Sequence, residues 1–407
     1  MTNIAITGAT GLVGRHLIFE IIQQNLHQLE NIRLFILGRN NEKHSLEQRF
    51  TDIIASEGFS YWNLDPTEYD KIFCFLENQV KYIHTHLEAH IPIVDPSELA
   101  QIKETPIDYF FHLAALPDLR NTPATEQRVM QANFLGTKRL LELLAKCQIK
   151  EFDYIGTAFV CGKTSGKILP TYLNPTQDFN NPYEKSKLLA ELAVKEFSQK
   201  HNIRCRYFRP GIVCGRLLHK PLGHAHKFDV FYEIFAFLYM EKLRILKSTD
   251  RFFETPVNLN LRLVFDPESS ANIVPVDYLV KVLYQVCVQN PPDDHFHLVH
   301  EKNTNFQVFL DATLEVMNIS GVQQVHEIPK DVSPIERLYH SRVGAIFNPY
   351  LNSKPKIFDT SNLQIVLQKG NLKCPPLSAE NIKILMRYAT QKKFGMDTHK
   401  ILRRVKK

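Results

Sequence analysis

The segment Asn181 to Glu191, NPYEKSKLLAE, contains a tyrosine and a lysine four positions apart, Tyr183 and Lys187. Residues four apart share one face of a helix, so this spacing places a phenol beside an ammonium group. The phenol could donate a proton to an oxygen that gains charge as a carbonyl is reduced. The ammonium could lower the pKa of the phenol from about 10 toward neutrality. The pair is therefore a candidate for carbonyl reduction or alcohol oxidation.

Spacing alone does not select this pair, because Tyr350 with Lys354 and Tyr388 with Lys392 have the same spacing. Prolines on both sides of Tyr350 argue against a helix there. Tyr388 lies near the C-terminus, beyond the predicted sheet. We therefore interpret these two pairs as accidental.

Tyr183 and Lys187 instead stand between two apolar segments that are typical of core strands. Thr157 ends the first segment (YIGTAF), and the second ends in RPGIVCG. In a doubly wound sheet, strand ends and the helix starts after them face the ligand. We predict that Thr157, Tyr183 and Lys187 converge as the catalytic group. Thr157 would polarise the carbonyl oxygen, and Lys187 would also hold the ribose of a cofactor.

A glycine-rich loop, TGATGLVG, joins the first predicted strand to the first predicted helix. In this context Gly8 permits a tight turn, Gly11 lets the backbone approach a pyrophosphate, and Gly14 lets helix and strand pack closely. The start of the helix offers unpaired N–H groups to the phosphate. The loop therefore predicts a dinucleotide site.

The end of the second predicted strand, Leu37-Gly38-Arg39-Asn40, indicates which dinucleotide binds. An acidic residue there would bind the ribose 2′-hydroxyl of NAD. Arg39 can instead pair with a 2′-phosphate. The sequence thus favours NADP(H) over NAD(H).

Apolar segments alternate with helical ones over roughly the first half of the chain, which predicts an α/β fold with a Rossmann-like, doubly wound parallel sheet. We assign residues 1–215 to an NADP-binding Rossmann domain, to which residues 272–290 return. Residues 216–271 and 291–332 form a smaller, non-contiguous substrate-binding domain. Residues 333–407 form a mostly helical C-terminal extension.

The composition excludes several classes of protein. Hydrophobic residues make up 44% and charged residues 23% of the 407 residues, as in globular proteins. The net charge of +6 is too mild and too scattered to predict nucleic-acid binding, but it suits phosphate-bearing ligands. Seven scattered cysteines predict reduced thiols in the cytoplasm. No apolar run reaches the ~18 residues that span a bilayer, so we expect no membrane insertion.

The ordered motifs TGATGLVG, FHLAA, NFLGT, YIGTAF, YEKSK and RPGIVCG resemble the extended short-chain dehydrogenase/reductase superfamily. With NIVPVDYL and HFHLVHEKNTNFQVFLD, the sequence most resembles the thioester reductase and fatty acyl reductase branch. The resemblance covers roughly Met1 to Met317. It implies an NAD(P)-dependent oxidoreductase that reduces an acyl thioester to an aldehyde or alcohol.

The resemblance also implies roles for individual residues around the cofactor. Asn133 would be a structural anchor. The predicted cofactor contacts are Gly8, Thr10, Gly11, Leu12 and Gly14 at the pyrophosphate, Arg39 at the 2′-phosphate, Ala114 and Ala115 beside the adenosine and ribose, and Pro210, Gly211 and Ile212 with Tyr183 and Lys187 near the nicotinamide.

Two features depart from the pattern of the branch. Members of the branch usually have a Gly-Asp pair near the adenine, after the third strand. The corresponding segment here, KYIHTHLEAHIPIVDP, has no Gly-Asp, so the sequence does not show which residue contacts the adenine. His84, His86 and His90 in this segment lack a supporting set of cysteines or carboxylates, so we predict no metal site.

The substrate donor implied by the resemblance is acyl-coenzyme A or an acyl carrier protein. The aromatic segment Phe228 to Leu243 would suit an acyl chain, or it packs as an ordinary helix. Three alternatives stay open: a hydroxysteroid-type or other alcohol dehydrogenase, a nucleotide-sugar epimerase or dehydratase, and a non-catalytic NADP-binding sensor. The oligomeric state is a monomer or a homodimer.

Overall fold

The computed structural model of the protein describes residues 1–87, 94, 96–398 and 401. Its strands, numbered in chain order, are β1 (Thr2–Thr7), β2 (Ile32–Gly38), β3 (Val80–His84), β4 (Ile107–His112), β5 (Ile149–Ile155), β6 (Gly166–Ile168), β7 (Arg204–Pro210), β8 (Ile212–Cys214), β9 (Val257–Val264), β10 (Ser270–Ala271), β11 (Ile273–Pro275), β12 (His295–Leu298), β13 (Thr304–Asn305), β14 (Ile319–Val325) and β15 (Lys356–Phe358).

The helices lie between and after these strands. They are α1 (Leu12–Gln24), α2 (Leu46–Ile53), α3 (Phe59–Trp62), α4 (Tyr69–Gln79), α5 (Pro96–Lys103), α6 (Pro123–Val129), α7 (Gly136–Leu144), α8 (Pro182–His201), α9 (Phe231–Leu246), α10 (Val276–Gln289), α11 (Phe306–Met317), α12 (Pro334–Tyr339), α13 (Ala345–Leu351), α14 (Gln364–Lys369) and α15 (Ala379–Gln391). No helix among the described residues is both long enough and apolar enough to cross a bilayer.

The large sheet has seven strands among the described residues, in the order β12-β7-β5-β4-β1-β2-β3, and every pairing in it is parallel. The predicted α/β class with a doubly wound parallel sheet is confirmed. The winding reverses between β1 and β4, because β2 and β3 lie on one side of β1 and β4 lies on the other. A crevice at the carboxyl ends of the strands is expected at this reversal point.

Helices cover both faces of this sheet, which explains why its strands are apolar along their whole length. Ile4 and Ile6 of β1 pack in one core with α1 and α10. Ala5 of β1 and Phe35 of β2 point to the opposite core, which α7 and α8 cover. Successive side chains along each strand therefore point to opposite faces of the sheet, and each face is covered by its own set of helices.

One strand pairing differs from the prediction. We expected residues 272–290 to return to the Rossmann domain as a strand of the large sheet and a helix that covers it. Helix α10 packs in one core with β1, but β11 pairs with β8 in a separate two-stranded sheet. The strand that joins the large sheet is β12, which pairs with β7 and lies in a segment assigned to the substrate-binding domain. Both are short apolar strands, so the sequence pattern cannot tell which neighbour each one pairs with.

A second apolar core lies over the carboxyl side of the large sheet. The parallel pair β9–β14 packs there with α9 and α11, and the antiparallel pair β10–β13 lies nearby. The C-terminal helices α12, α13 and α15 contribute buried residues to the same core. The parallel pair β6–β15 also ties the C-terminal segment to the loop after β5. Helices α12, α13 and α15 are thus packed into the second core, whereas Val366 and Leu367 of α14 pack in the core that contains β1.

Candidate active site

The glycine loop has the conformation that its sequence predicts. Gly8 has a φ of 75°, and a Cβ atom there would lie 2.7 Å from the backbone nitrogen of Ala114. Gly11 donates its N–H to the Gly8 carbonyl at 2.9 Å, which closes the turn before α1. A Cβ atom on Gly14 would overlap the Gly8 carbonyl oxygen. The loop is therefore a backbone cradle that side chains would fill, which fits a pyrophosphate.

A cavity of about 290 Å³ lies beside this loop, where the adenosine end of a dinucleotide would fit. Of the predicted cofactor contacts, it is lined by Gly8, Thr10, Gly11, Arg39, Ala114 and Ala115. Thr85 and Leu87, which follow β3, also line it, so this segment supplies the wall where the Gly-Asp of the branch is missing.

Arg49 is a residue of this cavity that the sequence analysis missed. It lies on α2, donates one hydrogen bond to the carbonyl oxygen of Arg39 at 2.8 Å, and donates another to Oγ1 of Thr10 at 3.0 Å. Burial, together with the charge of Arg39, lowers the pKa of Arg49. Two guanidinium groups therefore line the site where a 2′-phosphate would stand. The one feature of the sequence that could have indicated Arg49 is that it is a basic residue in α2, the first helix after β2 and Arg39.

A larger cavity of about 420 Å³ continues from the glycine loop and contains the predicted catalytic group. Thr157, Tyr183 and Lys187 all line it. So do the remaining predicted cofactor contacts, Leu12, Gly14, Pro210, Gly211 and Ile212, together with Gly8, Gly11 and Ala115. The fold therefore brings together residues from the ends of β1, β4, β5 and β7.

Local structure explains how the catalytic side chains are held. Thr157 follows β5 and begins a short 3-10 turn, where its hydroxyl accepts a hydrogen bond from the Phe159 N–H at 3.3 Å. Tyr183 is the second residue of α8, whose N-cap Asn181 accepts a hydrogen bond from the Glu184 N–H at 3.1 Å. The cap fixes the start of the helix and with it the position of Tyr183.

Asn133 anchors this region as expected. Its side chain accepts a hydrogen bond from the Leu116 N–H at 2.7 Å and donates to the Leu116 carbonyl at 3.1 Å. It also donates to Oγ of Ser186 at 2.9 Å. The loop after β4 is thereby joined to the helix that carries Tyr183.

The pKa of Tyr183 does not shift in the direction expected from Lys187. Burial and the neighbouring Glu184 raise it instead of lowering it. The ammonium of Lys187 donates to the Ile155 carbonyl oxygen at 2.8 Å and lies 4.4 Å above the ring of Tyr154. Burial lowers the pKa of Lys187 itself to about 7, although Glu191 opposes the shift. Desolvation is therefore the largest cause of both shifts.

The rest of the large cavity is mainly aromatic. Phe231 and Phe235 come from α9, the core of the segment that the sequence suggested for an acyl chain. Phe306 and Phe309 of α11 form a further part of the wall. The other walls include Phe159, Phe347 and Leu351. The cavity can therefore enclose an apolar group next to the catalytic residues.

Tyr350 also lines this cavity, although its Tyr-x-x-x-Lys pattern was set aside. It lies on α13, which accommodates Pro349 within the helix. The other discarded residue, Tyr388, lies on α15, and its hydroxyl is hydrogen-bonded to Nδ1 of His224 at 2.7 Å. Of the three Tyr-x-x-x-Lys patterns, the tertiary fold therefore places the tyrosines of two, Tyr183 and Tyr350, at the cavity.

The histidine-rich segment offers no cluster of metal ligands within the described part of the chain. His84 is hydrogen-bonded to Glu98 at 2.7 Å and to Asn40 at 3.1 Å, and His90 lies outside the described residues.

A different group, Glu151 and Asp153 of β5 and Cys287 of α10, lies close together between the sheet and this helix. The guanidinium of Arg206 pairs with Glu151 and lies 3.8 Å from Asp153, so a protein cation already balances this charge.

The sequence and the fold are both similar to those of known proteins. The family model described as Male sterility protein matches residues 6–283. The chain is 27% identical over 203 residues to the uncharacterized UDP-glucose epimerase YtcB of Bacillus subtilis (strain 168), an alignment that covers 49% of this chain and 53% of that protein. The chain spans about half the length of the curated relatives it matches.

Solved structures share the fold at low sequence identity. The terminal R domain from the myxalamid PKS-NRPS biosynthetic pathway has a TM-score of 0.68 and 18% identity, with 97% of this chain and 92% of that chain covered. A thiolation-reductase di-domain from an archaeal non-ribosomal peptide synthetase has a TM-score of 0.62 and 17% identity, with 97% and 76% covered. UDP-glucuronic acid 4-epimerase from Bacillus cereus, in complex with NAD, has a TM-score of 0.59 and 15% identity, with 97% and 99% covered.

The family match extends over more than half of the chain and includes the glycine loop, Thr157, Tyr183 and Lys187. The chain therefore belongs to the Male sterility protein family and has the extended short-chain dehydrogenase/reductase fold.

Proposed function

We propose that the protein is an NADPH-dependent reductase that converts an acyl thioester, carried by coenzyme A or a carrier protein, to an aldehyde or alcohol. The observation that carries this proposal is the continuity of the large cavity. Thr157, Tyr183 and Lys187 stand in the same space of about 420 Å³ as the aromatic side chains of α9 and α11. An apolar acyl chain on those side chains would bring its carbonyl group to the catalytic residues.

The phenol of Tyr183 suits reduction. It is protonated at neutral pH even with its ordinary pKa of about 10, as a proton donor to the substrate oxygen must be, and burial raises that pKa further. Thr157 already accepts a hydrogen bond from Phe159, which leaves its own O–H to donate to the same substrate oxygen. Bound NADPH would supply the hydride, and Lys187 would hold the cofactor ribose.

The adenosine cavity supports the choice of NADPH over NADH. Arg39 and Arg49 both line it. Burial and then the charge of Arg39 lower the pKa of Arg49, and a 2′-phosphate beside both guanidinium groups would offset that repulsion. NAD lacks this phosphate and would not make this contact.

A nucleotide-sugar epimerase is the second candidate, because the curated relatives that match the chain carry epimerase names. A sugar diphosphate needs hydrogen-bonding groups along its pocket, since buried hydroxyl and phosphate groups without partners are costly. His226, Lys227 and Asp229 line part of the cavity, but the wall of Phe231, Phe235, Phe306 and Phe309 offers no such groups. This apolar wall is what favours an acyl substrate.

The deciding experiment follows the absorbance of reduced nicotinamide with a panel of acyl-coenzyme A thioesters, thioesters on a carrier protein, and matching aldehydes. NADPH oxidation with thioesters is expected. Turnover with aldehydes alone would change the assignment to a carbonyl reductase. Interconversion of UDP-glucose and UDP-galactose without net loss of the reduced cofactor would establish the epimerase. Tight NADPH binding without any turnover would favour a sensor.

A further inference from the structure

Helix α13 places Tyr350 at the large cavity that contains Tyr183. Phe347, Tyr350 and Leu351 of this helix all line the same space as Thr157 and Tyr183. The ring of Tyr350 meets the ring of Phe159 edge to face, with the centroids 5.9 Å apart. This helix lies beyond residue 283, where the match to the family model ends. Tyr350 is therefore not among the residues that match the family model.

The hydroxyl of Tyr350 is held by the residues that flank Tyr183 in sequence. Asn181 donates its side-chain N–H to this oxygen at 2.6 Å, and the hydroxyl donates to Oε1 of Glu184 at 2.6 Å. The backbone N–H of Asn180 donates to Oε2 of Glu184 at 2.9 Å. Tyr183 and Tyr350 thus line one cavity. Glu184, the carboxyl partner of Tyr350, directly follows Tyr183 in the chain.

The pair formed by Tyr350 and Glu184 can store a proton. Glu184 is fully buried, and burial raises its pKa, although the hydrogen bonds from Tyr350 and Asn180 and the charge of Lys356 oppose this. When Glu184 is protonated, it can donate to the oxygen of Tyr350. The hydroxyl proton of Tyr350 is then released from the carboxylate and can point into the cavity.

Reduction of a thioester needs protons at two different atoms. Hydride adds to the carbonyl carbon, and Tyr183 gives a proton to the oxygen, which forms a hemithioacetal. In the next step the carbon–sulfur bond breaks, its electron pair goes to sulfur, and the hydroxyl proton returns to the Tyr183 phenolate as the aldehyde carbonyl forms. The departing sulfur then needs a proton of its own. Reduction of a ketone or an aldehyde has no such second step.

We propose that Tyr350, held by Asn181 and Glu184, is a second proton donor in this cavity and protonates the sulfur of the leaving thiol. The Tyr350 phenolate would regain its proton from Glu184, and Glu184 would regain one from water that enters the cavity, which Glu184 lines. The overall reaction consumes one thioester, one NADPH and one proton, and it yields the aldehyde, the thiol and NADP⁺. This inference rests on the proposed thioester reductase activity and adds a residue to it.

The test uses thioesters that share one acyl chain and differ in the acidity of the thiol, from an aryl thiol to an alkyl thiol. An aryl thiolate leaves readily without a proton, whereas an alkyl thiolate needs a donor. Nicotinamide oxidation and thiol release are followed in parallel in single turnovers of the full-length protein. In Tyr350→Phe, thiol release from the alkyl ester should lag behind nicotinamide oxidation and slow by about 10²-fold. The aryl ester should show little lag.

Two further variants keep the test decisive. Tyr339→Phe on α12 removes another buried hydroxyl, which has no hydrogen-bond partner in the described part of the chain, and it should behave like the wild type. If Tyr350→Phe does not fold, Glu184→Gln keeps the size of the side chain and removes the proton store. It should slow thiol release from the alkyl ester over successive turnovers.

The outcomes separate this inference from the proposed function. Thiol release that keeps pace with nicotinamide oxidation in Tyr350→Phe would overturn the inference while leaving the reductase activity established. Equal losses with aryl and alkyl esters would also overturn it, because they would indicate a structural role for Tyr350. A wild-type protein that reduces no thioester would overturn the proposed function and this inference with it.

Discussion

The two ends of the active site are built in different ways. The cofactor end consists of backbone and small side chains from the glycine loop and the segments that follow β4 and β7, most of them within short motifs. The substrate end consists of large side chains from α9, α11 and α13, which are far apart in sequence. A cofactor shared by many enzymes can be bound by a local motif, whereas a particular substrate needs a wall assembled from several elements.

The largest effect is expected where the two ends meet. Tyr183→Phe removes the proton donor and should lower kcat by about 10²–10⁴-fold, while the affinity for NADPH changes little. Steady-state kinetics and a fluorescence titration with NADPH measure the two quantities. Tyr388→Phe, at another Tyr-x-x-x-Lys pair, is the matched control and should stay near the wild-type rate. Full activity in Tyr183→Phe would show that another group donates the proton.

A smaller effect is expected at the adenosine cavity. Arg39→Ala removes one charged donor from the 2′-phosphate, and hydrogen bonds to charged groups contribute roughly 1.5–3 kcal/mol, so NADPH should bind about 10–100-fold more weakly. The affinity for NADH should hardly change. Lys43→Ala removes the same charge from an exposed position nearby and serves as the control. Equal losses for both dinucleotides would argue against a role in phosphate selection.

The buried Lys187 gives a prediction about stability and pH. Its pKa is about 7 in the folded protein and 10.5 in an unfolded chain, so between these values the unfolded state binds more protons. The free energy of unfolding should therefore increase with pH, by on the order of 1 kcal/mol between pH 7 and pH 8. Urea unfolding at both values should show this increase in the wild type and in the exposed control Lys185→Met, but not in Lys187→Met. The same increase in Lys187→Met would mean that other groups cause it.

The smallest effect is expected at the aromatic wall. Phe235→Ala enlarges the cavity and should shift the preference toward longer or bulkier acyl chains. With ~0.8 kcal/mol for each buried CH₂ group, the ratio of kcat/KM between chains that differ by one methylene should change by about fourfold. Phe237→Leu, two residues further on, alters a core side chain that does not line the cavity, so it should keep the wild-type preference. An unchanged preference in Phe235→Ala would place the acyl chain elsewhere.

Residues that the sequence analysis missed or misjudged belong mostly to the part of the site built over long distances. Arg49 was missed because nothing in its own helix marks it as a ligand-binding residue. Tyr350 was set aside because prolines flank it, yet α13 accommodates Pro349 inside the helix. The pairing of β11 and β12 was misassigned because the sequence of a short apolar strand does not indicate which strand it pairs with. Each of these positions depends on contacts between residues far apart in sequence, and a local sequence pattern does not indicate such contacts.

The sequence by itself determined the α/β class, the glycine loop and the choice of Thr157, Tyr183 and Lys187 as candidate catalytic residues. These features follow from local rules, because strand and helix periods, turn conformations and a spacing of four residues act within a few positions. The tertiary structure alone decided that Tyr350 lines the cavity and that the pKa of Tyr183 is raised instead of lowered. Both depend on burial and on contacts between distant segments. The free energy of a buried charge or hydrogen bond is set by everything packed around it, which only the folded chain assembles.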